Sequence, residues 1–233
     1  MGAILVLTAV ELEARALARA LGLQPLRSLP FPAFGRGSLR VAAVGLGAVL
    51  LDSRWSALVS PSDHPLVVSA GLCAGLDPAL KVGDLVLPDS VVDGEGRRLP
   101  VTGLAERRVM ASGLEGRITG VLATARAAVA TPAAKASLRD VTGAVAVDME
   151  SARILEFAAA HGCVSVVVRA VSDGARESLP AELIGLVGPD GRLRLRAASR
   201  LAKPRLLIRA LQLRRATRRA LARVAASLAR LPA

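Results

Sequence analysis

Tyrosine is missing from this chain of 233 residues, which holds one tryptophan and three phenylalanines. Aromatics make up 2% and apolar residues 52%, mostly Ala, Leu and Val, so the core has to be packed from aliphatic side chains. A single-strand nucleic-acid binder stacks bases on aromatic side chains interleaved with its cations, and this sequence has none to offer beside its arginines. Cysteine is nearly absent too. Cys73 and Cys163 stand alone, without metal-ligand spacing and too sparse for a disulfide framework, which fits a reduced cytosol. The two histidines are read as structural: His64 precedes Pro65 in a loop, and His161 ends a helical pattern where a cation suits the dipole.

Acid is missing from one whole region. From Arg192 to Ala233 there are thirteen Lys plus Arg and no Asp or Glu, which leaves eighteen basic against nineteen acidic residues over 1–191. The net charge of +12 therefore belongs to the tail, and the body is near neutral. Also lacking is any run of about eighteen apolar residues free of charge, and residues 1–8 are too short for a signal peptide and have no basic stretch before them. These features predict a cytoplasmic protein without metal or cofactor, peripheral at the inner membrane face if the tail meets anionic lipid.

Short apolar runs bounded by Gly, Pro or polar residues recur at 3–8, 39–44, 66–70, 84–87, 118–124, 144–147 and 164–170. Several are continuous rather than alternating, the pattern of strands covered on both faces. Helical patterns lie between them at 10–21, 48–59, 132–139 and 149–161. The alternation predicts a single α/β domain over 1–191, a mixed central β-sheet flanked by helices, with a basic C-terminal helical extension over 192–233. Residues 88–116 are punctuated by Gly and Pro and read as a mobile excursion holding a hairpin.

Open α/β sheets bind ligands beyond the carboxyl ends of their strands. The residues just past the apolar runs are Glu11 and Glu13, Gly45 and Gly47, Gly71 to Gly75, Asp148 and Glu150, and Ser172 and Asp173. Each has a plain structural alternative. Acids open helices through the helix dipole, Asp148 is a good N-cap, Ser172-Asp173 makes a turn, and the glycines serve tight connections or hold an anion on their backbone N–H groups. Gly45-Leu46-Gly47 lacks the third glycine of a dinucleotide fingerprint.

Four segments in order carry a resemblance: Thr8-Ala9-Val10-Glu11-Leu12-Glu13; Gly71-Leu72-Cys73-Ala74-Gly75-Leu76-Asp77-Pro78 with Lys81-Val82-Gly83-Asp84-Leu85-Val86; Val147-Asp148-Met149-Glu150-Ser151; and Val168-Arg169-Ala170-Val171-Ser172-Asp173. Together they resemble the nucleoside phosphorylase and nucleosidase superfamily, which includes the methylthioadenosine/S-adenosylhomocysteine nucleosidases. The stretch 177–191 and the basic tail are most similar to the hopanoid-associated phosphorylases. The resemblance implies cleavage of the N-glycosidic bond of a purine nucleoside through an oxocarbenium-like ribosyl cation. In that reading Asp173 acts as acid toward N7 of the base, and Glu13 orients or deprotonates water. Glu150 takes the ribose hydroxyls and Met149 packs under the ring. Asp148, Ser172, Gly71, Leu72, Cys73 and Gly47 complete the substrate-binding set. The implied substrate is a lipid-linked adenosine, adenosylhopane, and the implied protein is a homo-oligomer with no nucleic-acid partner.

The sequence departs from the better-known nucleosidases at Thr124-Ala125-Arg126-Ala127-Ala128, where they carry Ser-Gly-Asp and then an aromatic that stacks on the base. Leu72 and Cys73 also replace small residues. These changes favour an apolar substrate over methylthioadenosine, and they keep a non-catalytic nucleoside-binding or nucleic-acid-binding protein open as the alternative class. The acceptor is read as water, from Glu13, with phosphate as the alternative co-substrate gripped by Arg126 and backbone amides.

In the tail, 205–230 reads as a helix that Pro204 can start. Leu206, Ala210, Leu213, Leu221, Val224 and Leu228 share one stripe, while Arg215, Arg219 and Arg230 lie roughly opposite. The stripe either packs on the domain or, with its arginines, meets an anionic membrane surface through 204–230.

Overall fold

The computed structural model describes residues 2–60, 62–112, 117–194 and 217–231. Its elements run β1 (Ile4–Thr8), α1 (Glu11–Ala20), β2 (Gln24–Pro25), β3 (Ala33–Arg36), β4 (Leu39–Ala43), α2 (Leu51–Leu58), β5 (Leu66–Gly75), β6 (Leu85–Val86), β7 (Ser90–Val92) and β8 (Arg98–Pro100). There follow α3 (Leu104–Ala111), β9 (Arg117–Ile118), β10 (Val121–Thr124), α4 (Pro132–Thr142), β11 (Ala146–Asp148), α5 (Ser151–Ala160), β12 (Ser165–Asp173) and α6 (Ala181–Ile184). Residues 217–228 form a further helix.

Among the described residues the strands make one mixed sheet with the path β2-β3-β4-β1-β5-β11-β10-β7-β8, and β12 branches from β5, followed by β6 and β9. The centre is parallel, with β1 between β4 and β5 and β12 along the whole of β5. The continuous apolar runs explain this. In β1 the side chains of Ile4 and Val6 enter one core cluster while Leu5 and Leu7 enter another, so both faces of the strand are covered. Each such side chain taken out of water contributes roughly 1.5–3 kcal/mol.

Several expected boundaries move, for local reasons. The run at 118–124 is two strands: Gly120 sits at φ 128 between β9, which pairs with β6, and β10, which pairs with β7 and β11. The helix expected over 48–59 begins at Leu51, because Gly45, Gly47 and Ala48 adopt positive φ (80, 63 and 55) around a 3-10 turn, Leu46–Ala48. The helix expected over 149–161 begins at Ser151, whose N–H is taken by Asp148 Oδ2 at 3.2 Å. β5 and β12 run on past 70 and 170, so Gly71 to Gly75, Ser172 and Asp173 lie within strand ends rather than after them. The stretch at 88–112 holds the expected hairpin, β7 against β8, and then α3, which the sequence pattern did not suggest.

The tail is only partly described, and 195–216 lie outside the described residues. Over 217–231, Ala220, Leu221, Val224, Ala225, Leu228 and Leu231 join the largest core cluster of the domain. Ser227 Oγ donates to the carbonyl of Met110 at 2.9 Å, and Arg223 Nη1 to that of Gly83 at 2.9 Å. The described part of the apolar stripe therefore packs on the body. Arg218, Arg219 and Arg230 are exposed. No helix among the described residues is long and apolar enough to cross a membrane.

Candidate active site

The carboxyl ends of β5, β11 and β12, the start of α1 and the segment 179–187 enclose a cleft of about 280 Å³. It is lined by Glu13, Leu72, Cys73, Asp148, Met149, Glu150, Ser172 and Asp173, with walls of Leu46, Val129, Leu179, Leu183, Ile184 and Val187. Gly71 and Gly47 sit behind this lining, each beside one of its acids. Glu11, by contrast, points away, bonded to Arg15. Among the described residues no aromatic and no basic side chain lines the cleft.

Glu13 enters from the first turn of α1, a place where an acid suits the dipole. Its Oε2 accepts the Val10 N–H at 3.2 Å and its Oε1 the Leu72 N–H at 3.0 Å, so the carboxyl ties helix to strand. Burial pushes its pKa up, against the pull of Arg169 and of the backbone N–H groups. Glu150 follows β11, and its Oε1 accepts the Gly47 N–H at 3.1 Å. Here too burial dominates: with Arg169 opposing it, and Asp148 and Glu13 adding negative charge, Glu150 is pushed up to about 8.

A side chain that the sequence reading passed over holds these acids together. Arg169, in the middle of β12, is wholly buried; its Nη2 lies 2.7 Å from Asp148 Oδ2 and 3.9 Å from Glu150 Oε2. The same nitrogen donates to Ser69 Oγ at 2.8 Å and Ser151 Oγ at 3.1 Å. Burial works against its charge, but Asp148, Glu150 and Glu13 outweigh that and raise its pKa above the usual arginine value. Its Nε and Nη1 have no partner among the described residues. A Cβ on Gly71, where φ is 151, would stand 2.7 Å from Nη1 and 2.8 Å from Glu13 Oε1, so only glycine lets the strand pass between the two groups. Asp148 is occupied by its neighbours: Oδ1 accepts from Thr124 Oγ1 at 2.7 Å, and Oδ2 takes Arg169 and the N–H of Ser151. It anchors the guanidinium more than it offers itself to a ligand.

At the other end, Asp173 Oδ2 lies 2.5 Å from Lys135 Nζ, and Oδ1 lies 2.5 Å from Ser172 Oγ. Lys135 was also missed. It is carried one turn into α4, a helix capped by Thr131 Oγ1 on the Ala134 N–H, with Pro132 at its start and Gly143 in the left-handed region at its end. Ser172 and Asp173 both reach the cleft although neighbours in a strand point to opposite faces; a bulge between Val171 and Asp173 makes this possible. Cys73 is held as a thiol by burial, which raises its pKa, so it is part of the wall and no nucleophile. Arg126, the candidate phosphate grip, pairs with Glu95 at 3.0 Å and lies in a separate polar cleft of about 410 Å³ on the far side of Met149.

Three comparisons bear on this arrangement. The phosphorylase superfamily matches residues 3–202. A 5′-methylthioadenosine/S-adenosylhomocysteine nucleosidase from Marinomonas sp. (strain MWYL1) is 27% identical over 157 residues, which is 58% of this chain and 68% of the relative. Among solved structures, a 5′-methylthioadenosine/S-adenosylhomocysteine nucleosidase from Neisseria meningitidis in complex with methylthio-immucillin-A superposes with a TM-score of 0.71 at 19% identity, covering 99% of this chain and 98% of that one. The futalosine hydrolase of Helicobacter pylori superposes with a TM-score of 0.71 at 18% identity, covering 98% and 96%. At these identities the superpositions show a shared fold.

Proposed function

Because the chain belongs to the phosphorylase superfamily, it is an enzyme of the nucleosidase and nucleoside phosphorylase type, and we propose that it cleaves the N-glycosidic bond of a purine nucleoside, with water as acceptor. The observation that carries this is the meeting of Glu13, Glu150 and Asp173, from three remote parts of the sequence, in the wall of one cleft. A purine anion is a poor leaving group and a ribosyl cation is short-lived, so protonation of the base and negative charge beside the sugar must act together. Asp173 gives a proton to N7 as the C1′–N9 bond breaks and its electron pair stays with the base. Glu150, ionised, accepts the ribose hydroxyls and faces the developing positive charge, while Met149 packs under the ring. Glu13 takes a proton from the water that adds to C1′.

Water is favoured over phosphate by the lining itself. Among the described residues the cleft offers carboxylates and no cation, and a phosphate dianion would meet like charge. The wall of Leu46, Leu179, Leu183, Ile184 and Val187 suits a nucleoside whose 5′ substituent is apolar. The resemblance of 177–191 and the tail to the hopanoid-associated phosphorylases extends this reading to a lipid-linked adenosine such as adenosylhopane. With the stripe over 217–231 packed inward, this part of the tail would meet an anionic membrane through its outward arginines.

One assay tests these statements together. The protein is incubated with adenosine, methylthioadenosine and a lipid-linked adenosine in neutral or anionic vesicles, each with and without phosphate. Adenine and a free sugar, fastest from the lipid-linked substrate in anionic vesicles, are expected. Sugar 1-phosphate as product would overturn the choice of water, methylthioadenosine as best substrate the lipid, and no adenine from any of the three the activity itself.

A further inference from the structure

Lys135 is wholly buried, and each of its three ammonium hydrogens has an acceptor: Asp173 Oδ2 at 2.5 Å, the carbonyl of Gly174 at 2.7 Å and that of Glu177 at 2.9 Å. One cation thus fixes both the acid and the chain that leaves β12. The other carboxyl oxygen of Asp173 is 2.5 Å from Ser172 Oγ, which is also 3.1 Å from the carbonyl of Cys73. A hydroxyl has one hydrogen to give. When Ser172 turns it to Asp173, Oδ1 is the acceptor, a role open to a carboxylate and to a carboxyl that carries its hydrogen on Oδ2. When Ser172 turns it to Cys73, the short contact with Oδ1 requires a hydrogen on the carboxyl. The network holds Asp173 in both protonation states without moving a heavy atom.

We propose that Lys135 is the positioning residue and proton reserve of Asp173, supplying through that carboxyl the proton that the departing base receives. The proposal rests on the nucleoside-cleaving reading above. The ammonium passes a proton from Nζ to Oδ2, which leaves an amine and a carboxylic acid, both neutral. The carboxyl passes a proton to N7 while the C1′–N9 electron pair goes to the base, and the amine regains its proton from solvent once the base has left. The titratable groups around the pair are few. From β5 comes the Cys73 thiol, which feels Asp173, Asp148 and Arg169; from the chain after β12 comes Glu177, whose Oε2 accepts the Gly174 N–H at 3.4 Å. On α4 itself, Arg139 is directed to Asp77 at 3.1 Å.

Lys135→Gln keeps two donors for the carbonyls of Gly174 and Glu177 but has no proton to release. Its activity is compared on adenosine, whose base must be protonated to leave, and on a nitrophenyl riboside, whose phenolate leaves unaided. On adenosine, kcat/KM should fall about 100-fold, and on the nitrophenyl riboside by less than about threefold, with Asp173→Asn showing the same split. An equal fall on both substrates would make Lys135 merely structural, and no fall on adenosine would show the reserve unused; either overturns the proposal. Should adenosine prove too poor a substrate, the lipid-linked adenosine takes its place in the comparison, and wild-type protein that cleaves none of the three would instead sink the nucleosidase reading from which it starts. Should Lys135→Gln fail to fold, Lys135→Arg keeps charge and donors yet cannot release a proton near neutral pH, and wild-type turnover of adenosine in that variant is equally fatal.

Discussion

Among the described residues Arg169 and Lys135 are the two largest side chains sealed completely inside the protein, and their surroundings differ. Arg169 stands among Asp148, Glu150 and Glu13 at the end of the cleft proposed for sugar and water; Lys135 stands against Asp173, at the end proposed for the base. A guanidinium does not give up its proton in a protein, whereas an amine can. Where negative charge has to persist beside a sugar cation, the fold supplies a permanent counter-charge. Where a proton has to move, it supplies a titratable one.

The contrast is broken most severely by removing the permanent charge. Arg169→Met would leave Asp148, Glu150 and Glu13 buried without their cation, and should cost about 3–5 kcal/mol, read as a lowered denaturant midpoint. Lys135→Gln should cost less in the same measurement, since it leaves one buried acid rather than three without its cation. A larger loss for Lys135→Gln would invert the comparison.

Next in size is a pH effect at the sugar end. In the unfolded chain Glu150 ionises near the usual 4.5 of a glutamate, and in the folded protein only at about 8. Between those values the folded state binds the extra proton, so this carboxyl's contribution to stability is intact below the lower value and is lost as pH rises toward the higher. Glu150→Gln should therefore gain on the order of 3 kcal/mol over wild type at pH 8.5 and almost nothing at pH 4. Equal melting temperatures at both pH values would show that Arg169 already cancels the cost of burial. The ionisation that weakens the fold also creates the charge that the reaction needs.

The smallest change concerns the gap between Arg169 and Glu13. Gly71→Ala places a methyl group against both and should cost about 2 kcal/mol with a matching fall in turnover. Full activity would mean that the two side chains can part without consequence.

The acids were legible in the sequence because each ends an apolar run, and a strand end is where an α/β sheet presents its chemistry. The cations were not, for two separate reasons. Arg169 is a lone charge inside the run from Val164 to Val171, and a charge in a strand covered on both faces has to find partners there; the signal was present and was read as plain strand. Lys135 sits among alanines with its partner 38 residues away, and nothing local marks it. Similarly, α3 escaped notice because only Met110 of its side chains is buried, so no apolar period shows. The mixed sheet was legible in outline, but not the continuation of β5 and β12, since glycine-rich motifs look like turns until a neighbouring strand pairs with them.

The bulge in β12 has a consequence of its own. The address of the acid is written in the number of residues between Val171 and Asp173, not in any side chain there. Lose one and the pleat becomes regular, turning everything beyond it over to the opposite face of the sheet. Which side of the molecule holds the chemistry is thus a matter of counting, and it changes in a single jump with no halfway form.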